Sequence, residues 1–178
     1  MRLFFGIPVS DAGRQMVSSR IDSLRQSRAF GKVTWVKPEA VHITLRFLGE
    51  LPDSILPALN AWPAAFPNFS PVTCSIGALG GFPNLTRPKV LFLDVTPHEP
   101  FLDIYRHLDA FLLTLGIPQE DRPYNPHLTL GRVKVFSPSP SPFRPFPTLS
   151  DTLRQIVLFQ SHLTSAGPIY TPVSTLSA

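Results

Sequence analysis

Two tetrapeptides of this chain, His42-Ile43-Thr44-Leu45 and His127-Leu128-Thr129-Leu130, repeat one pattern 85 positions apart. Within each, apolar residues alternate with His and Thr. On a β-strand that alternation projects imidazole and hydroxyl from one face and sends the aliphatic side chains behind it. Two such strands side by side would make a groove with a pair of facing histidines and two hydroxyls able to donate to an anion. Two imidazoles suffice to move a phosphoryl group between oxygens. One, neutral, takes a proton from the attacking oxygen; the other, charged, gives one to the leaving oxygen. An ordinary histidine pKa of about 6.5 populates both forms near neutrality, and each transfer is typically worth about 10² to 10⁴ in rate.

Arg132, five residues after His127, is the candidate for holding the phosphate charge. Strict alternation points it away from His127. Gly131 just before it reads as the mark of a bulge that re-aims the arginine toward the groove. A lone strand histidine is more often a surface residue than a catalyst, but duplication in identical context reverses that weighting. For Thr44 and Thr129 the competing account is ordinary β-propensity, and for Arg132 a solvated strand end. A metal site would need a third ligand, and neither motif carries an Asp or Glu, so no metal is expected.

These residues need elements to position them. Arg2 to Pro8 reads as a strand, followed by a helix capped at Ser10 or Asp11, with Met16, Val17, Ile21 and Leu24 at helical spacing and Gly31 as its stop. Val33 to Val36 is a short extended piece, and Val41 to Leu48 a strand. There Val41, Ile43, Leu45 and Phe47 share one face, and His42, Thr44 and Arg46 the other. Asp53 to Phe66, with Pro57 and Pro63, reads as a short or kinked helix. Val72 to Leu79 and Lys89 to Val95 read as paired strands joined by the loop GGFPNLTRP. From about Pro100 to Leu115 the clearest helix presents Phe101, Ile104, Tyr105, Leu108, Phe111, Leu112 and Leu115, and Gly116 ends it. Strands follow at His127 to Val135, Arg154 to Leu163 and Ile169 to Pro172. The run SPSPSPFRPFP, 137 to 147, reads as a stiff surface loop. Strands interspersed with helices and joined mostly by hairpins indicate α+β.

Trp35 is the candidate platform for a terminal base. Phe47 is excluded from that role because it shares parity with the core residues. Arg46, on the His42 face, with Arg87 and Lys89, are candidate guides for the phosphates of an anionic ligand, with a solvated basic rim as an equally good account. His98 and His107 read as surface residues, His162 as a structural residue at a strand end, and Cys74 as a small core residue.

The chain has 178 residues, of which 43% are hydrophobic and 16% charged, so it is globular rather than disordered. That length suits one compact domain. Its 16 Lys+Arg against 12 Asp+Glu leave a mild excess of +4, enough for an anionic ligand and too little to coat long duplex DNA. The single cysteine excludes an internal disulfide. No apolar run is long enough to span a bilayer, so a cytoplasmic protein is expected.

The two HxTL copies resemble the signature of the two-histidine phosphoesterases, and the chain is similar to their RNA 2',3'-cyclic phosphodiesterase branch, long called 2'-5' RNA ligases. The likeness extends through RLFFGIPV, VTWVKPEAVHITLRFLGE, GGFPNLTRPKVLFLDV, PYNPHLTLGRV and LFQSHLTSAGPIYTPV. Val41 departs from it, standing where proline is common.

The resemblance implies an α+β bilobal fold over residues 1–178. It consists of two intertwined pseudo-symmetric lobes of mainly antiparallel sheet, with helices outside and a central groove. It also implies hydrolysis of an RNA terminal 2',3'-cyclic phosphate to a 2'-phosphate without cofactor. In that reaction His42 would be the general acid, His127 the general base, and Thr44, Thr129 and Arg132 the phosphate clamp. The expected partners are RNA ends or small cyclic nucleotides, with no membrane and no obligate protein partner, in a monomer. Two alternatives stand beside this one: ligation of cyclic-phosphate and 5'-hydroxyl ends into a 2'-5' bond, and a non-catalytic RNA-end binding module.

Overall fold

The computed structural model describes residues 1–138, 146–164 and 167–178, so most of the SPSPSPFRPFP segment, with its expected stiff loop, lies outside the described residues. Nine strands form one curled, hydrogen-bonded antiparallel sheet: β1 (Arg2–Pro8), β2 (Phe30–Trp35), β3 (His42–Glu50), β4 (Val72–Phe82), β5 (Val90–Thr96), β6 (His127–Pro138), β7 (Leu149–Leu153), β8 (Gln155–Thr164) and β9 (Gly167–Ser177). Across the sheet the order is β7-β4-β5-β6-β3-β1-β8-β9, and β2 pairs with the far half of β6. The helices are α1 (Asp11–Ser27), a single turn α2 (Leu56–Leu59) and α3 (Glu99–Thr114). The architecture is α+β, as the alternation of elements indicated.

Two quartets of strands meet at the centre of this order. β6 and β3 are joined by the pair Ile43↔Leu128, the second residue of each tetrapeptide. Both side chains are fully buried. On one side β3 continues into β1, β8 and β9; on the other β6 continues into β5, β4 and β7.

The helices lie where their apolar faces can be covered. Ser10 caps α1 by accepting the Gly13 N–H at 3.0 Å, and Val17, Ile21 and Leu24 are buried along it. Arg28, in the left-handed region at φ 53°, ends the helix before the expected Gly31. Gly31 instead serves β2. Its φ is 73°, and a Cβ there would meet the Val135 carbonyl at 2.4 Å. Along α3, Phe101, Ile104, Leu108 and Leu112 are buried and belong to the same core cluster as Ile43, Leu128, Leu45 and Leu130. The helices thus cover the face of the sheet behind the motif aliphatics and leave the histidine face open.

The segment from 53 to 66 is broken into short 3-10 and helical turns, consistent with Pro57 and Pro63. Several strands differ from expectation: β2 begins already at Phe30, and β9 runs from Gly167 to Ser177 rather than from Ile169 to Pro172. β4 runs on through Gly80, Gly81 and Phe82, which pair with Phe92, Leu91 and Val90, so the loop to β5 is shorter than the glycines suggested. β7 was not anticipated, because its mixed sequence LSDTL has weak strand character; it is held by pairing along β4. Among the described residues no helix is long and apolar enough to cross a membrane.

Candidate active site

The backbone irregularities of the two motif strands decide which side chains reach the open face. In β3, Gly6 pairs with Thr44 and Phe5 with Arg46, so Leu45 is an extra residue, a β-bulge. In β6, Phe92 pairs with Thr129 and Leu91 with Gly131, so Leu130 is the extra residue. The fourth residue of each tetrapeptide is therefore a bulge, and beyond it the side-chain parity inverts.

In β6 the inversion brings Arg132 to the face that carries His127 and Thr129, and all three line one cleft of about 690 Å³ with Thr44 and Lys89. The bulge expected near Gly131 is centred on Leu130. Gly131 itself answers a different need: a Cβ there would stand 2.8 Å from Val33 and 2.9 Å from the Thr34 carbonyl, so the glycine lets β2 approach.

In β3 the same inversion overturns two expectations. Arg46 does not share the His42 face. It is 3% exposed, its Nε donates to Asp109 of α3 at 3.1 Å, and its guanidinium also meets Glu120 at 2.7 Å and the Pro118 carbonyl. Phe47 is not a core residue. It is 52% exposed and lines the cleft, its ring 5.7 Å from Phe4. Simple alternation cannot see a bulge, which is why both were misplaced. Phe47 stands five residues after His42, as Arg132 stands five after His127.

Trp35 is not among the cleft residues. It pairs with Gly131 at the far half of β6 and borders a separate depression with Leu24, Arg25 and Phe30. Among the other basic candidates Lys89 reaches the cleft, whereas Arg87 stays exposed in the β4–β5 loop. Residues 120–125 close one wall through Glu120, Arg122, Pro123, Tyr124 and Asn125. Apart from the resemblance, no sequence pattern marked that wall.

The two histidines are held in matching ways. His42 donates Nδ1–H to the Ala40 carbonyl at 2.8 Å, and His127 donates Nδ1–H to the Asn125 carbonyl at 2.7 Å. Each acceptor lies two residues upstream, and each bond fixes the tautomer in which Nε2 carries the lone pair. The Thr44 hydroxyl donates to Nε2 of His42 at 3.1 Å. Aromatic rings pack both imidazoles: Phe4 and Tyr170 lie 4.8 and 5.2 Å from His42, Phe82 and Phe92 5.1 and 5.2 Å from His127.

Burial among these rings lowers the proton affinity of both histidines. His42 is brought down to about 4, mainly by desolvation, with a smaller contribution from the charge of His127. His127 is also lowered by desolvation, but the Asn125 carbonyl and the Asp94 carboxylate oppose the shift. His127 faces the large cleft, while His42 borders a smaller pocket of about 280 Å³ with Phe159, Tyr170 and Arg14. Thr44, bonded to His42, lines the large cleft.

The remaining candidates fall outside this constellation. His107 is exposed on α3, and His162 is exposed where β8 pairs with β9. Cys74 is buried, and burial with the nearby Asp151 carboxylate pushes its thiol up to about 12, so it is no nucleophile. Among the described residues no three His, Cys, Asp or Glu side chains group as metal ligands.

Residues 14–157 match the family model of the 2'-5' RNA ligase superfamily. An RNA 2',3'-cyclic phosphodiesterase of Methanothermobacter thermautotrophicus is 33% identical over 178 residues, covering 96% of this chain and 95% of that protein. One of Thermotoga maritima is 31% identical, covering 96% and 91%. The crystal structure of TT0787 of Thermus thermophilus superposes with a TM-score of 0.84 at 30% identity, covering 99% of this chain and 97% of the other. Escherichia coli LigT complexed with 3'-AMP shares the fold, with a TM-score of 0.76 at 23% identity, covering 99% and 97%.

Proposed function

We propose that this chain, which belongs to the 2'-5' RNA ligase superfamily, is an RNA 2',3'-cyclic phosphodiesterase that opens the cyclic phosphate at an RNA end to a 2'-phosphate. The observation that carries the reading is the matched pair of imidazoles, each anchored through Nδ1–H to a backbone carbonyl so that Nε2 is the nitrogen turned away from the backbone, in His42 toward the Thr44 hydroxyl.

The chemistry follows from those two nitrogens. His127 Nε2 takes a proton from water as the water oxygen bonds to phosphorus, and the bond from phosphorus to the 3' oxygen breaks. His42 Nε2 gives its proton to that oxygen. Burial keeps His42 neutral in the free site, so its Nε2 takes up a proton from solvent as the anionic phosphate binds beside it, and this is the proton it donates as acid. Thr44, Thr129 and Arg132 supply donors for the phosphate oxygens, and Lys89 adds positive charge at the cleft mouth. Phe47, rather than Trp35, offers an exposed ring in the cleft on which a terminal base can stack. Both histidines come from one chain, so a monomer is sufficient. A water molecule and two imidazoles balance the reaction without a cofactor.

The test is incubation, in chelator, with an oligoribonucleotide ending in 2',3'-cyclic phosphate, resolving 2'-phosphate, 3'-phosphate and joined products. A 2'-phosphate product is expected. A joined product formed in proportion to added 5'-hydroxyl ends would establish ligation instead, and binding without any product would establish an RNA-end receptor.

A further inference from the structure

The two histidines, alike in backbone anchoring, differ in what stands across the strand from each. Opposite His42 on β1 is Pro8, which brings no charge. Opposite His127 on β5 is Asp94. Residues directly paired across antiparallel strands project from the same face with their Cβ atoms about 4.5 to 5.5 Å apart, so the carboxylate is a neighbour of the imidazole. Asp94 is itself held from behind. His98, just before α3, hydrogen-bonds through Nε2 to its Oδ1 at 3.2 Å.

We infer that Asp94 is a positioning residue for His127: across the β5–β6 pair it stabilises the imidazolium that forms when His127 takes the proton from water. His42 has no such partner on β1, which suits a group that must give its proton away. The inference rests on the acid–base reading of the pair, in which His127 is the base.

Other charged groups line the same cleft: Arg132 on β6, Lys89 just before β5, and Glu120 and Arg122 on the 120–125 wall, with His42 on the neighbouring β3. Glu120 is already engaged by Arg46. Asp94 is the carboxylate directly opposite the imidazole, and its attraction opposes the lowering of His127 by burial.

The experiment pairs Asp94→Asn with Asp94→Glu. In the unliganded protein, NMR titration of the His127 ring is expected to show a midpoint about one pH unit lower in Asp94→Asn than in wild type, restored toward wild type in Asp94→Glu. At saturating substrate on the pH plateau, kcat of Asp94→Asn is expected to fall severalfold with KM little changed, because a weaker base takes the proton less readily in the transition state. An unmoved His127 midpoint overturns the inference, as does a moved midpoint with kcat intact. Because the titration needs no turnover, a shifted midpoint in a wild-type protein that hydrolyses nothing would refute the proposed reaction and leave the Asp94–His127 relationship standing.

Discussion

Ile43 and Leu128 sit directly opposite each other, and their pairing joins the two quartets of strands. Each is the residue that follows a motif histidine. In antiparallel pairing the neighbours of a bridge exchange partners, so His42 is carried toward Thr129 and His127 toward Thr44. Of the two threonines, Thr44 bonds Nε2 of His42 on its own strand at 3.1 Å and also lines the cleft with His127 and Thr129. The bridge between the two equivalent tetrapeptides is thus what brings their polar faces to the middle of the sheet.

If the pair acts as one unit, His42→Ala and His127→Ala should each lower turnover by at least about a hundredfold. Binding of a non-hydrolysable cyclic nucleotide should change only a few-fold. The double variant should lose little beyond either single one, because an acid without its base has little left to catalyse. Steady-state kinetics together with calorimetric binding check this; two independent, multiplying losses would contradict it.

Phe47 and Trp35 should separate cleanly. Phe47→Ala is expected to raise KM roughly tenfold with kcat near wild type, since stacking of one base is worth about 1–3 kcal/mol. Trp35→Ala should leave KM unchanged and lower stability, because its ring packs beside Gly131 outside the cleft. The comparison uses oligonucleotides ending in a purine and in an abasic cyclic phosphate. Equal KM values for the two substrates in wild type would remove the stacking role.

Arg46 is a structural cation. Replacing it by Met strands Asp109, 4% exposed, without its partner, and should cost about 3–5 kcal/mol. The double variant Arg46→Met, Asp109→Leu should recover most of that loss, since a buried pair exchanged for apolar groups of similar volume is close to neutral. Urea unfolding of the singles and the double reads the coupling; equal stability of single and double variants would show that the pair is not coupled. The single variant should also lose activity through the 120–125 wall, which Arg46 ties to β3 by Glu120 and the Pro118 carbonyl.

The pH dependence of stability carries a definite sign. His42 has a pKa of about 4 in the fold against 6.5 unfolded, so between those values the unfolded chain binds the proton that the folded chain refuses. Its contribution is therefore present above pH 6.5 and is lost as pH falls toward 4, amounting to roughly 3 kcal/mol. His127, also lowered, acts in the same direction. Urea midpoints for wild type should fall between pH 7 and 4.5 more steeply than those of His42→Ala. Parallel slopes would show that His42 is not held neutral by its surroundings.

The amino-acid sequence by itself marked the proposed histidine pair, its hydroxyls and the α+β alternation. Those rest on residue identity and on periods of 2 and 3.6, which are local properties. It also marked a bulge before Arg132, because a glycine in a strand is a local signal. Only the tertiary structure decided which face Arg46 and Phe47 occupy. Leu45 carries no sign of being a bulge, and its extra residue is set by the register of β1 against β3. Strand β7 and the Asp94–His127 neighbourhood are of the same kind. Each depends on which residue the sheet places across a strand gap of about 5 Å, and no pattern along one strand specifies its partner.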